Sequence, residues 1–210
     1  MIAVFLCDVT GHMAQPWAEA GVECYCVDIQ HSVRRPRYEG GIHFVYGDVR
    51  SWVPPKRPLF VGAWPPCTDT TRSGAQDHRT KGGMALRDAL EIFECCRQAA
   101  AWSGAPYFIE NPVGFLSKIP HIGTPDHYFH PTDYAGYLQD PDEDRYLKRT
   151  CLWTGNGFIM PEPKHLEPLD LAKIHQMGES KARADKRSAT PRGFARATFE
   201  ANKGVLDANR

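Results

Sequence analysis

Residues 2–29 read IAVFLCDVTGHMAQPWAEAGVECYCVDI and join two apolar segments through a short helical one. The apolar run Ile2–Leu6 is typical of a buried strand. Pro16–Ala20 begins with proline and is followed by Gly21, residue types that favour the start and the end of a helix. A second strand is predicted at Glu23–Ile29. This order of elements predicts the first βαβ unit of a parallel sheet.

The alternation of strand and helix continues along the chain. Residues 83–102 carry apolar side chains at approximately helical spacing and predict the longest helix. Such alternation predicts an α/β protein with a doubly wound, mainly parallel sheet, in a single domain over residues 1–210. The segments 120–145 and 154–185 are irregular, and we expect them to face a substrate. Further strands are predicted at His43–Tyr46, Leu59–Ala63, Pro106–Ile109 and Cys151–Trp153, and a last helix at Gly193–Asn202.

The composition is that of an ordinary globular protein. A chain of 210 residues is long enough to bury a core without metals or disulfides. The 25 basic and 25 acidic residues cancel, so bulk charge does not indicate nucleic-acid binding. Basic side chains nevertheless concentrate in residues 178–210 and in a second group, Arg34, Arg35 and Arg37.

Cysteine usage and hydropathy indicate the compartment. The seven cysteines form no Cys-x-x-Cys pair, which favours a reduced protein without a zinc site. No apolar run approaches the length of a membrane span, and Asp8 interrupts the N-terminal run, which argues against a signal peptide. We therefore expect a cytoplasmic monomer with no metal and no membrane partner.

Acidic side chains follow the first three predicted strands. In doubly wound sheets the ligand binds beyond the carboxyl ends of the strands, where Asp8, Asp28 and Asp48 are expected. The turn Cys7–Gly11 lacks the G-x-G-x-x-G and P-loop patterns, which disfavours a dinucleotide or a triphosphate. Asp28 is placed to accept hydrogen bonds from ribose hydroxyls, and Asp48 to face an adenine. The alternative is that these aspartates cap the helices that follow, and spacing alone does not decide between the two.

The next two strands are followed by a thiol and a carboxyl group. Two prolines in Trp64-Pro-Pro-Cys67 fix the backbone before the thiol, which suits a positioned nucleophile. A nearby cation or a helix terminus would lower the pKa of Cys67. Glu110 follows an apolar strand, where partial burial would raise its pKa. The alternatives are a structural cysteine and a solvated glutamate that opens a turn.

Together, Pro-Pro-Cys67 and Glu110-Asn-Pro resemble the catalytic loops of the DNA (cytosine-5-)-methyltransferase family. Trp17–Gly21 together with Asp28 is similar to the family's cofactor-binding opening, and Gly47-Asp48 to its third segment. Two later segments, Tyr146–Trp153 and Lys186–Phe194, are similar to those of compact phage-type members. The resemblance covers most of the chain in the family's order.

The resemblance implies a Rossmann-like fold, S-adenosylmethionine as cofactor, and methyl transfer to C5 of a flipped cytosine in DNA. Cys67 would add to C6 of the base, Glu110 would hold its N3 and N4 edge, and Arg149 would contact its O2. Residues implied to bind the cofactor are Asp8, Thr10, Gly11, Asp28, Ile29, Asp48, Val49 and Pro65. Residues implied to bind the substrate are Pro66, Arg72, Asn111 and Lys148, with Arg79 as a further phosphate contact.

Three departures from the family pattern qualify these implications. The opening Leu6–His12 has one glycine where the family has Phe-x-Gly-x-Gly. The Arg-x-Arg pair is replaced by Lys148-Arg149-Thr150, and we assign the O2 contact to Arg149. Residues 154–185 leave no room for a large target-recognition domain, so we expect a short target sequence. The alternatives are a methyltransferase acting on RNA or a free pyrimidine nucleotide, an inactive nucleic-acid-binding relative, and an unrelated α/β protein.

Overall fold

The computed structural model describes residues 1–71, 78–169 and 189–208, without the side chains of residues 78–81 and 208. Its centre is one sheet of eight strands. The strands are β1 (Ile2–Leu6), β2 (Glu23–Asp28), β3 (Arg37–Glu39), β4 (Ile42–Tyr46), β5 (Phe60–Ala63), β6 (Tyr107–Pro112), β7 (His127–Phe129) and β8 (Thr150–Gly155). The α-helices are α1 (Ala14–Glu19), α2 (His78–Ser103, with a break at Gly82), α3 (Arg192–Asn202) and α4 (Val205–Ala208).

The sheet is mostly parallel, as predicted, and its strand order is β3-β4-β2-β1-β5-β6-β8-β7. The five consecutive strands from β4 to β6 run parallel, whereas β3, β7 and β8 pair antiparallel with their neighbours. From β1 the chain moves outward through β2 to β4 and then returns to the other side of β1 with β5 and β6. Such a reversal opens a crevice at the carboxyl ends of the two central strands.

Apolar side chains alternate along the strands and build one core on each face of the sheet, because successive residues of a strand point to opposite faces. Phe5 and Phe108 belong to the first core, which α1 and α3 cover, and the Trp17 ring of α1 stacks on Phe60 with centroids 4.5 Å apart. The second core is covered by α2 through Phe93, Cys96 and Ala100. Helices on both faces agree with the predicted layer arrangement.

Several element boundaries differ from the prediction. Helix α1 begins at Ala14, ahead of Pro16, because a proline in the first turn removes only an N–H that has no partner within the helix. Strand β6 continues through Glu110 and Asn111 to Pro112, since β8 pairs with it along that length. Glu110 therefore lies within the sheet, and the alternative of a solvated glutamate that opens a turn is wrong.

Two short strands were not predicted. All three residues of β3 are exposed, and β7 lies in the segment 120–145, which otherwise contains several 3₁₀ turns. Each of these strands forms only by pairing with a longer neighbour, so neither has a periodic signal of its own. Residues 170–185 of the other irregular segment lie outside the described residues. Among the helices that the structure describes, none is long and apolar enough to cross a lipid bilayer.

Candidate functional site

The loop that carries Cys67 is fixed to β6 by a buried amide. Asn111 Nδ2 donates to the carbonyl oxygen of Pro65 at 2.9 Å, and Asn111 Oδ1 accepts from Thr70 Oγ1 at 3.1 Å. The Thr70 hydroxyl also lies 3.2 Å from the carbonyl oxygen of Cys67. Asn111 and Thr70 are each 1% exposed. The side chain of Asn111, predicted to bind substrate, therefore positions the loop that carries Cys67.

The loop that follows β6 is also held against the Cys67 loop. Phe115 N donates to the carbonyl oxygen of Thr70 at 2.7 Å, and Thr71 forms a β-bridge with Gly114. A Cβ atom on Gly114 would lie 2.2 Å from the same Thr70 oxygen, so only glycine permits this approach. Neither Thr70 nor Gly114 was among the predicted site residues. The position of Gly114 directly after Glu-Asn-Pro-Val is a weak indication in the sequence that it belongs to the site. The contact of Thr70 with Asn111 arises only from the fold and has no such indication.

Glu110 is a buried carboxyl group with an unused oxygen. The residue is 9% exposed, and within the described ranges its Oε1 atom is buried without a hydrogen-bond partner. Burial raises the pKa of Glu110 above its ordinary value, while the positive charge of Lys148 partly opposes this. A buried polar atom without a partner costs free energy in the folded protein, which is typical of a group kept for a ligand.

The pKa of Cys67 does not follow the prediction. Burial raises it first, and the carboxyl group of Glu110 raises it further. Lys148 and a backbone hydrogen bond lower it, but these effects are smaller than the effect of burial. The free protein therefore keeps Cys67 mainly as a thiol. Cys67, Glu110 and Lys148 nevertheless interact electrostatically, because the charge of Lys148 lowers the pKa of both the thiol and the carboxyl group.

The two cations before β8 have different surroundings. Glu110 is opposite Leu152 in the β6–β8 pair, and Lys148, two residues before β8, acts electrostatically on both Glu110 and Cys67. The guanidinium carbon of Arg149 lies 4.5 Å from the ring centroid of Tyr128. Arg149 was assigned to the O2 contact, but the cation that acts on Cys67 and Glu110 is Lys148.

Asp8 organises the turn after β1. Its Oδ1 accepts from the backbone nitrogens of Thr10 and Gly11 at 2.8 and 2.9 Å and from the Thr10 hydroxyl at 3.1 Å. Its Oδ2 lies 3.5 Å from the thiol of Cys26. Both oxygens are therefore engaged within the protein. The carboxylate of Asp8 therefore shapes the predicted cofactor turn.

Gly11 and its neighbour connect this turn to the rest of the fold. Gly11 has φ of 73°, and a Cβ atom there would lie 2.9 Å from the ring of Phe44. His12 Nδ1 lies 3.0 Å from the carbonyl oxygen of Thr190. The described part of the predicted C-terminal motif, residues 189–194, thus contacts the turn after β1. Asp144 Oδ2 accepts from Gly193 N at 2.6 Å and fixes the start of α3.

The aspartates after β2 and β4 make the same local turn as Asp8. Asp28 Oδ1 accepts from Gln30 N at 2.7 Å, and Asp48 Oδ1 accepts from Arg50 N at 3.0 Å. These are turns in which a side chain binds the backbone two residues later. No helix follows Asp28 or Asp48 directly, so the alternative of helix caps does not describe them.

Asp28 and Asp48 differ in how many of their carboxylate oxygens bond to the protein. Among the described residues, Asp28 Oδ2 has no hydrogen-bond partner, and the neighbouring Ile29 is 62% exposed. Asp48 is paired with the guanidinium group of Arg50, whose hydrogen bonds lower the pKa of Asp48. Val49 packs partly against the second core. Asp28 therefore keeps a carboxylate oxygen without a partner among the described residues, whereas both carboxylate oxygens of Asp48 bond to Arg50.

The remaining predicted residues lie around the same crevice or outside the residues that the structure describes. Pro65 is buried and Pro66 is exposed beside Cys67. Arg72 lies outside the described residues, and the side chain of Arg79 is not described. Among the residues that the structure describes, no three His, Cys, Asp or Glu side chains are grouped to hold a metal ion.

Comparison of the sequence with known proteins does not assign the chain to a family. No protein-family model matches the chain, and no curated protein matches it.

Proposed function

We propose that the protein is a DNA (cytosine-5-)-methyltransferase that uses S-adenosylmethionine. The observation that carries the proposal is the buried, unpartnered carboxyl oxygen of Glu110, grouped with the Cys67 thiol and the Lys148 ammonium. A neutral carboxyl group can donate to N3 of cytosine from one oxygen and accept from the N4 amino group with the other. The raised pKa of Glu110 supports this protonation state.

The thiol of Cys67 suits addition to C6 of that base, because sulfur is a soft nucleophile. The thiol gives its proton to a base, a bond forms between Sγ and C6, and the electron pair of the C5–C6 double bond moves through the ring towards N3. The proton of Glu110 neutralises the charge that develops there. C5 thereby becomes nucleophilic and accepts a methyl group. Loss of the C5 proton to a base, departure of Sγ from C6 and return of the N3 proton to Glu110 restore the aromatic ring and the carboxyl group.

The raised pKa of Cys67 fits this sequence of events. Glu110 in its ionised form opposes the thiolate. A Glu110 proton engaged with N3 removes that opposition, while Lys148 continues to favour the thiolate. With Glu110 protonated, burial is the main effect against the thiolate, and Lys148 acts in its favour.

The crevice between β1 and β5 fits the cofactor. Its position at the reversal of strand order supports a Rossmann-like methyltransferase fold. The open Oδ2 of Asp28 would accept from the ribose hydroxyls, with Ile29 and Val49 as apolar contacts for the adenine. The turn Asp8–Gly11, including Thr10, and Pro65 would surround the methionine part, and Asp48 would reach the adenine after releasing Arg50. Bound S-adenosylmethionine supplies the electrophilic methyl group.

The proposal is tested by offering one preparation of the protein three substrates. Protein and S-adenosylmethionine labelled in the methyl group are incubated with duplex DNA, with tRNA and with dCTP. We expect label in duplex DNA only, recovered as 5-methyldeoxycytidine after digestion. Label confined to tRNA or dCTP would transfer the proposal to that substrate. Binding of S-adenosylmethionine without transfer to any of the three would indicate an inactive relative.

A further inference from the structure

His12, the residue that follows the turn Asp8–Gly11, hydrogen-bonds the C-terminal segment (residues 189–196). Its Nδ1 atom lies 3.0 Å from the carbonyl oxygen of Thr190. A carbonyl oxygen only accepts hydrogen bonds, so Nδ1 carries the proton and donates. Thr190 is buried, and a buried carbonyl group that loses its donor costs free energy in the folded protein.

The second ring nitrogen of His12 contacts the same segment. Arg192 Nη2, at the start of α3, lies 3.4 Å from His12 Nε2. A guanidinium group only donates hydrogen bonds, so Nε2 is the acceptor. Arg192 Nη1 also lies 3.5 Å from Gln15 Oε1 on α1. The imidazole of His12 thus donates to one residue of the C-terminal segment and accepts from another.

Hydrogen bonds continue from His12 into the turn that is expected to surround the ligand. His12 N donates to Thr10 Oγ1 at 3.4 Å, and the Thr10 hydroxyl donates to Asp8 Oδ1 at 3.1 Å. The same Asp8 oxygen accepts from the backbone nitrogens of Thr10 and Gly11. A displacement of His12 therefore reaches the backbone of the turn through bonded groups.

Other hydrogen bonds of the C-terminal segment lead to different parts of the fold. Gly193 N donates to Asp144 Oδ2 at 2.6 Å, and Arg196 Nη2 donates to Glu19 Oε2 at 2.7 Å. These contacts fix the segment to the 3₁₀ turn 142–144 and to α1. His12 fixes it to the turn after β1, and its two contacts are therefore a direct connection between the segment and the ligand turn.

We propose that His12 is a positioning residue that couples docking of the C-terminal segment to ligand binding at the turn Asp8–Gly11. This inference rests on the proposed function, under which the ligand is S-adenosylmethionine. The docked segment holds the turn in the shape that binds the ligand. Because such coupling is reciprocal, the bound cofactor should stabilise the docked segment by the factor by which docking tightens the cofactor.

The test combines calorimetry of S-adenosylmethionine binding with amide hydrogen exchange of residues 189–199, followed by mass spectrometry. In wild type, saturating cofactor should slow exchange in these residues. His12→Leu removes both hydrogen bonds of the ring. We expect about tenfold weaker cofactor binding and about tenfold faster exchange, as for loss of a buried hydrogen bond. Exchange of peptides from β5 and β6 reports whether each variant is folded.

Two further variants separate the two bonds of His12. The amide nitrogen of asparagine is as many bonds from the backbone as Nδ1, and the amide oxygen of glutamine as many as Nε2. His12→Asn keeps a donor for Thr190, the shorter contact, and should bring both measurements close to the wild-type values. His12→Gln keeps only an acceptor for Arg192 and should resemble His12→Leu.

Arg196→Gln is the matched control, because it removes a contact of the same segment with α1 and leaves His12 in place. Exposed ion pairs contribute little, so this variant should bind the cofactor with close to wild-type affinity. Wild-type affinity in His12→Leu, or an equal loss in His12→Leu and His12→Asn, would overturn the inference and leave the proposed function intact. A wild-type protein that does not bind S-adenosylmethionine would overturn both.

Discussion

Asn111 Nδ2 donates to the carbonyl oxygen of Pro65 at 2.9 Å, which ties the strand of Glu110 to the loop of Cys67. Replacement of Asn111 by alanine leaves this buried carbonyl and the Thr70 hydroxyl without their partner. We expect a loss of about 1–3 kcal/mol in the free energy of unfolding. Because Cys67 is no longer held against Glu110, single-turnover methyl transfer should fall about 100-fold.

Denaturant unfolding and rapid-quench kinetics check this prediction. Thr70→Val removes one hydrogen bond of the same network and serves as the matched control, with a smaller effect on both measurements. Affinity for S-adenosylmethionine should remain near wild type in both variants. An Asn111→Ala protein that transfers methyl groups at the wild-type rate would show that the amide has no positioning role.

Cys67 is expected to form a covalent bond with its substrate. DNA with 5-fluorocytosine should trap the adduct, because fluorine cannot leave C5 as a proton does. The adduct is measured as a band resistant to denaturation and by mass spectrometry of the Cys67 peptide. Cys67→Ser should lose methyl transfer and the adduct while still binding S-adenosylmethionine. Cys151, a buried cysteine on β8, is the matched control, and Cys151→Ser should retain the adduct.

The buried carboxyl group of Glu110 should make stability depend on pH. Its folded pKa is raised above the ordinary value of 4.5, so the native state holds the proton more tightly than the unfolded state does. Stability is then fully present below pH 4.5 and is lost as the pH rises through the folded pKa. Glu110→Gln removes this dependence. Above pH 4.5, the melting temperature of Glu110→Gln minus that of wild type should therefore increase as the pH rises.

The same substitution separates stability from catalysis. Glutamine can still donate to N3 and accept from N4, but it cannot deliver a proton to the ring. We expect DNA binding close to wild type and methyl transfer reduced by about 100-fold or more, the range for loss of general acid catalysis. A Glu110→Gln protein that is less stable than wild type at neutral pH would contradict the assignment of an uncompensated buried carboxyl group.

The sequence predicted the site to the level of strand ends, because a strand end follows from a local apolar run. Cys67 lies at such a predicted strand end, whereas Glu110 lies inside β6, which continues to Pro112 through its pairing with β8. The electrostatic effect of Lys148 on Cys67 and Glu110 was not accessible, because it depends on how the segment before β8 meets β6 and the Cys67 loop. The sign of the Cys67 pKa shift was missed for a similar reason, because burial and the charge of Glu110 arise only when distant segments meet. Strand β7, which presents Tyr128, has three residues and depends on β8.

Lys148 and Arg149 should act differently on the thiol of Cys67. Lys148 lowers the pKa of Cys67 in the folded protein, so Lys148→Met should raise that pKa and slow alkylation of the thiol at a given pH. Arg149 does not act on Cys67, and its guanidinium group lies over Tyr128. Arg149→Met should therefore leave the alkylation rate unchanged. The measurement is the pH dependence of iodoacetamide labelling, followed on the Cys67 peptide by mass spectrometry.

Asp28 and Asp48 provide the last prediction, a difference between two aspartates that appear equivalent in sequence. Asp28 has an open carboxylate oxygen in a buried position, so a ligand hydroxyl gains a charge-assisted hydrogen bond without displacing a protein group. Asp28→Asn should weaken binding of S-adenosylmethionine by about 1–3 kcal/mol in calorimetry. Asp48 must first release Arg50, and such exposed ion pairs contribute about 0–1 kcal/mol, so the net gain from its contact is smaller. Asp48→Asn should cost less than Asp28→Asn, and Arg50→Ala should bind the cofactor at least as tightly as wild type, because the carboxylate of Asp48 is already free. A larger loss for Asp48→Asn than for Asp28→Asn would show that the main polar contact of the cofactor lies after β4.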